Sequence, residues 1–92
     1  MPTIEIPTPL RPYAENNAKI NVAGSTIREV LKDLFLQHPE LEKHLKDRKG
    51  KLRSFVNIYL GDEDIRGLEN EDTELEASDE IVIIPSIAGG LL

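Results

Sequence analysis

Apolar residues recur along this chain with two different periods. Thr3-Ile4-Glu5-Ile6 and Lys19-Ile20-Asn21-Val22 alternate polar and apolar, the period of two expected of strands with one buried face. Between them Pro7, Pro9 and Pro12 interrupt pairing, since proline donates no ladder hydrogen bond. Glu15-Asn16-Asn17 is turn chemistry, so the two strands are expected to pair antiparallel. After Gly24-Ser25 the period changes. Ile27, Val30, Leu31, Leu34 and Phe35 recur at i, i+3, i+4, i+7 and i+8, one apolar stripe of a helix, with Arg28, Glu29, Lys32 and Asp33 on its wet face. Thr26 and Glu29 have the spacing of a capping box. Pro39 ends this helix and can open a short second one that turns Leu41 and Leu45 inward. Arg48-Lys49-Gly50-Lys51 reads as a loop.

The second half returns to strands. Phe55-Val56-Asn57-Ile58-Tyr59-Leu60 is rich in β-branched and aromatic residues; Val56, Ile58 and Leu60 share one face, Phe55, Asn57 and Tyr59 the other. Gly61 to Asp64 is expected to turn, and Ile65-Arg66 to return as a short strand. Gly67 to Ser78 is polar and irregular, with Leu68 and Leu75 as expected anchors. Ile81-Val82-Ile83-Ile84 is apolar on both faces, the pattern of a central strand, often one parallel to a neighbour. Pro85 then ends it. The order implies an α+β domain: a mixed sheet of about five strands, one main helix across one face, a short second helix, and the last strand beside the first. That arrangement is the ubiquitin-like β-grasp, expected over 1–85, with 86–92 as a flexible tail.

Composition narrows the function. Ninety-two residues suit one domain with a modest core. The absence of cysteine excludes a disulfide framework, a thiolate metal site and a catalytic thiol. No apolar run approaches the roughly 18 residues of a membrane span, so a soluble, cytoplasmic chain without a membrane partner is expected. Net charge is −6, which disfavours nucleic acid as a partner. The charges are segregated. Lys43, Lys46, Arg48, Lys49, Lys51 and Arg53 cluster mid-chain, as a solvated loop would. Acidic residues from Asp62 to Glu80 crowd the last third, where they can steer docking onto a basic protein surface.

Candidate chemistry within the chain is sparse. Ser25, Ser54, Ser78 and Ser86 lack a nucleophile-elbow context, and Ser25 fits the helix start instead. His38, Glu42 and His44 do not have the i, i+4 spacing that sets two imidazoles on one helix face, so no metal site is expected. Asp62-x-Asp64-x-Arg66-Gly67 imitates the start of a calcium loop, but Arg66 stands where an oxygen ligand is required. Phe55, Asn57 and Tyr59 lie opposite the helix-facing residues. With Ile81 or Ile83 nearby they would form an apolar patch, a sign of protein contact, unless their own loop covers them. Ala88-Gly89-Gly90-Leu91-Leu92 is the most pointed feature. Without Cβ atoms, a Gly-Gly segment passes through a channel too narrow for other residues, although a frayed end would look the same.

Four segments carry a resemblance: Ile6-Pro7-Thr8-Pro9-Leu10-Arg11-Pro12, Phe55-Val56-Asn57-Ile58-Tyr59, Asp62-Glu63-Asp64-Ile65-Arg66, and Ile84-Pro85-Ser86-Ile87-Ala88-Gly89-Gly90. In this order, across nearly the whole chain, they resemble the ThiS/MoaD family of sulfur carriers, in particular those serving cysteine biosynthesis. The resemblance implies no bound cofactor and no catalysis by the chain alone. An E1-like adenylyltransferase/sulfurtransferase would use ATP to activate Gly90, and a sulfur donor would convert it to a thiocarboxylate. Ala88 and Gly89 would thread into the partner, and a cysteine synthase-like enzyme would accept the sulfur. Leu91-Leu92 departs from the form in which Gly90 is terminal, because an amide carbonyl cannot be adenylated in this way. Carriers with such extensions are trimmed by a JAMM-type metalloprotease, which implies a cut between Gly90 and Leu91. A carrier for molybdopterin or thiamine synthesis, a ubiquitin-like modifier joined to lysine, and a non-catalytic interaction domain are the alternatives.

Overall fold

The computed structural model describes residues 1–85, and within them the order of elements is the one expected. β1 (Thr3–Glu5) and β2 (Lys19–Asn21) pair antiparallel, followed by α1 (Ile27–Gln37), α2 (Pro39–Leu45), β3 (Val56–Leu60), β4 (Glu63–Asp64) and β5 (Glu80–Pro85). The sheet order is β2-β1-β5-β3-β4. β5 is thus central, parallel to β1 and antiparallel to β3, with Ile4 opposite Ile81 and Ile58 opposite Ile83. The whole is an α+β β-grasp with five strands and α1 across one face.

Alternation decides what lies beneath the helix. Ile4, Ile20, Val56, Ile58, Ile81 and Ile83 point into one core with Ile27, Val30, Leu31, Leu34 and Phe35 of α1 and Leu41 and Leu45 of α2. Leu60 and Leu75 pack against its margin. Thr26 caps α1: its Oγ1 accepts the Glu29 N–H at 3.2 Å. The reciprocal half of the capping box is displaced by one residue, because Glu29 Oε1 accepts the Ser25 backbone N–H (2.7 Å) and hydroxyl (3.1 Å) rather than the Thr26 N–H. Gly24 makes this return possible. Its φ is +146°, and a Cβ there would stand 2.7 Å from Glu29 Cβ.

Several local expectations change. The proline-rich stretch, expected only to interrupt pairing, forms a 3-10 helix over Thr8–Ala14 closed by left-handed Glu15 and Asn16. Ile65-Arg66 is not the returning strand. That strand is Glu63–Asp64, after a two-residue turn at Gly61 (φ +60°), and Ile65 buries itself by entering a 3-10 helix over Ile65–Gly67. Leu68 is exposed, whereas Leu75 packs at the core margin as expected. Residues 73–75 are also held by backbone: Ile27 N–H donates to Thr73 O (3.0 Å) and Leu75 N–H to Ser25 O (2.8 Å), tying the segment to the start of α1. Arg28 pairs with Asp72 across the same junction.

Two measurements test this packing. Ile81→Ala should cost about 2–5 kcal/mol in urea unfolding, whereas Ile84→Ala on the open face should cost far less; the reverse order would invert the assignment of the two sheet faces. The bonds from the Ser25 N–H, then its hydroxyl, hold the Glu29 carboxyl below its ordinary 4.5. A depressed carboxylate stabilises the fold fully above its unfolded value and ceases to as pH falls through the folded one. The stability gap between Glu29→Gln and the unaltered chain should therefore be greatest near neutrality and shrink on acidification. A gap that widens in acid would contradict the cap.

Candidate protein-docking face and tail exit

The face of the sheet away from α1 is open. Strand alternation places Asn57 and Tyr59 there, and the ladder sets Asn57 opposite Ile84 and Tyr59 opposite Val82. Ile84 is 44% exposed; Tyr59 and Val82 are half-buried. The sequence reading paired the aromatic residues with Ile81 or Ile83. The structure corrects this: both are buried under the helix, and Val82 and Ile84 occupy the open face. Phe55 stands just before β3, in a turn at the end of the strand, and is exposed. It borders the patch rather than joining the ladder.

A polar brace edges the patch. Tyr59 is opposite Asp64 on β4. The Arg66 guanidinium grips Asp64 through Nη2 (2.8 Å) and Nε (3.2 Å), and the same Nη2 donates to Asn57 Oδ1. The Arg66 backbone N–H also donates to Asp64 Oδ1 at 2.9 Å. These bonds, the side-chain contact first, hold the Asp64 carboxyl below its ordinary range and raise the guanidinium in turn. Arg66 is exposed and Asp64 half-buried, so the brace fixes orientation more than it stabilises the fold. Asp64 and Arg66 were visible in the sequence only as a failed calcium loop. Arg66 sits where a cation ligand would be needed because it is itself the cation that Asp64 binds.

Val56 pairs with Pro85, the last described residue, so the described chain ends beside the start of β3. Ala88, Gly89, Gly90 and Leu91, together with Ser86 and Leu92, lie outside the described residues. His38 lies between the two helices, Glu42 pairs with Lys46 at 3.2 Å, and His44 stacks on Tyr13 with ring centroids 3.9 Å apart. Among the described residues no three histidines, aspartates or glutamates are grouped to hold a metal, and no helix is long and apolar enough to cross a membrane. A cleft of about 430 Å³ beside α1 is lined by Leu31, Phe35 and Leu52 with Arg28, Lys32 and Lys46 at its edge. Arg28 and Lys46 are already engaged by Asp72 and Glu42.

Known proteins share this sequence and shape. The chain is 37% identical over 90 residues to the sulfur carrier protein CysO of Mycobacterium tuberculosis, covering 96% of this chain and 97% of that protein. A chain of the crystal structure of the Amycolatopsis orientalis BexX/CysO complex matches with a TM-score of 0.86 at 31% identity, covering 98% of this chain and 100% of that one. The solution structure of small archaeal modifier protein 1 from Methanosarcina acetivorans matches with a TM-score of 0.81 at 29% identity, covering 97% and 95%. The ThiS family profile matches residues 4–90, from β1 through the second glycine of the pair. By that match and the near full-length likeness to CysO, the chain belongs to the ThiS family.

Proposed function

We propose that the chain is the precursor of a sulfur carrier that feeds cysteine synthesis through a thiocarboxylate on Gly90. The observation that carries this reading is the extent of the family match: it runs to Gly90 and leaves Leu91-Leu92 outside. Removal of those two residues, by a JAMM-type protease whose zinc-bound water attacks the Gly90–Leu91 bond, frees a carboxylate. A carboxylate is a poor acyl donor. In the active site of an E1-like enzyme its oxygen attacks the α-phosphorus of ATP and displaces pyrophosphate. A sulfur nucleophile then attacks the acyl carbon and expels AMP, leaving sulfur on the carrier. A cysteine synthase-like enzyme takes that sulfur as a nucleophile.

The fold suits such a role. Residues 86–90 span at most about 17 Å, enough to reach a recessed active site from a domain docked outside it. The open sheet face would be the docking face, with Tyr59, Val82 and Ile84 as its apolar centre and Asn57 and Phe55 at its margin. The chemistry is performed on backbone, which is how a carrier can work without cysteine. A ubiquitin-like modifier joined through Gly90 to a lysine amine is the second reading, favoured by the likeness to small archaeal modifier protein 1. The two differ in product.

The chain ending at Gly90, incubated with the E1-like enzyme of its host and ATP, should support ATP–pyrophosphate exchange, and the 1–92 chain should not. With a sulfide source, mass spectrometry should find one oxygen replaced by sulfur on the shortened chain. Equal exchange by both chains would refute the precursor; a protein–lysine adduct in place of the thiocarboxylate would favour the modifier. Tyr59→Ala should weaken binding to the same enzyme by about tenfold, the order expected of a buried aromatic contact. Unchanged affinity would remove the sheet face from the interface.

A further inference from the structure

Charge is partitioned along the axis of β5. At the end where this strand begins, the β3–β4 turn comes alongside, with Gly61 N–H donating to Glu80 O at 3.2 Å. Asp62, Glu63, Asp79 and Glu80 gather there, and among the described residues the ion pair that answers them is Lys19 with Glu80 at 3.5 Å. The opposite end is where the described residues stop, at Pro85. There Arg53 O accepts the Val56 N–H at 3.0 Å, so the chain turns back at Arg53 beside the Val56–Pro85 pair. Lys51 and Arg53 are exposed, as are Arg48 and Lys49 on the same loop. None of these four forms an ion pair among the described residues, in a chain with 17 carboxylate side chains to 11 lysines and arginines. By contrast Lys43 and Lys46, one turn earlier, are held by Glu40 and Glu42.

The net charge of −6 suggests that an acidic surface would repel this chain. Distance reverses that expectation. The six residues of β5 separate the two ends by about 17 Å, roughly two Debye lengths at physiological salt. A surface approached tail first meets the near cations and is screened from the far carboxylates. We infer that the loop bearing Arg48, Lys49, Lys51 and Arg53 docks against a carboxylate-edged rim around the tail-receiving channel of the activating enzyme. This rests on the reading that a second protein receives the tail, and adds the charge of its entrance. The patch of Tyr59, Val82 and Ile84 supplies the buried centre of that contact, and the loop its charged rim. Rim charges act on encounter rate, whereas buried centres act on dissociation. A nucleic-acid partner fits less well, because the acidic end of so small a domain would repel extended phosphate chains.

The test is stopped-flow association of the chain ending at Gly90 with the E1-like enzyme, over a series of salt concentrations. Lys51→Glu combined with Arg53→Glu should lower kon about tenfold at low salt, with the deficit closing as salt rises and koff almost unchanged. Asp62→Asn combined with Glu63→Gln, at the far end, should leave kon within about twofold. Circular dichroism of both variants checks that these exposed substitutions preserve the fold. An undiminished kon for the charge-reversed chain, or a deficit that persists at high salt, overturns the acidic rim. ATP–pyrophosphate exchange at saturating carrier reads activation separately, so that result leaves the sulfur-carrier reading standing. Absence of exchange with the unaltered shortened chain overturns both.

Discussion

The burial of β5 between β1 and β3 and beneath α1 is the constraint on which this molecule depends. Ile81 and Ile83 are essentially inaccessible, packed with Ile4, Ile58 and Leu34 in a single core. Both backbone edges of β5 are used, parallel to β1 and antiparallel to β3, so the first and last strands of the chain close one sheet. A parallel neighbour so distant in sequence requires a long crossover, and α1, α2 and the loops of the second half supply it. The strand that ends the described residues is thus held by two ladders and the core rather than lying at an edge.

The same placement divides labour between the two sides of β5. Its alternate residues either fill the space under α1 or stand in the open sheet, so Val82 and Ile84 are kept from the core by geometry rather than by polarity. Apolar residues left there enlarge exposed surface without stabilising the domain, as the proposed docking face would require. Arg66 completes the arrangement. By bridging Asp64 and Asn57 it fixes the polar border of the patch, so the margin of the proposed docking surface is preset rather than assembled on contact.

How much of this was legible depended on whether the residues carried a period. The stripe from Ile27 to Phe35, the cap at Thr26, the proline opening α2 and the alternation of Val56, Asn57, Ile58 and Tyr59 each left one solution, and the structure adopts it. Ile81-Val82-Ile83-Ile84 left two. With apolar residues at every position, nothing local says which pair faces the helix; only register with Ile4 and Ile58 decides. Ile65 enters a 3-10 turn rather than the expected strand, because a lone apolar residue after a turn suits either equally and the demand to bury it chooses the former. Of the two leucines expected as anchors, Leu75 packs at the core margin and Leu68 is exposed; the backbone bonds of Thr73 and Leu75 that tie the same segment to α1 are ones that side-chain identity cannot announce.

Charge gives the remaining step. On the proposed function, a carrier visited in turn by a protease, an activating enzyme and a sulfur acceptor would need to be recognised by each and retained by none. Apolar area alone serves this poorly, since enlarging the patch slows dissociation and holds the carrier on one partner. Exposed cations beside the tail act differently: they raise encounter rate and bias orientation, yet as exposed charges at a rim they add little to the depth of the bound state. On the proposed docking, the acidic opposite end would disfavour reversed encounters with the same rim. A small apolar centre for retention and a polarised body for approach are together what a transient carrier requires, and the antiparallel run of β3 against β5 sets both at the end of the sheet where Val56 pairs with Pro85.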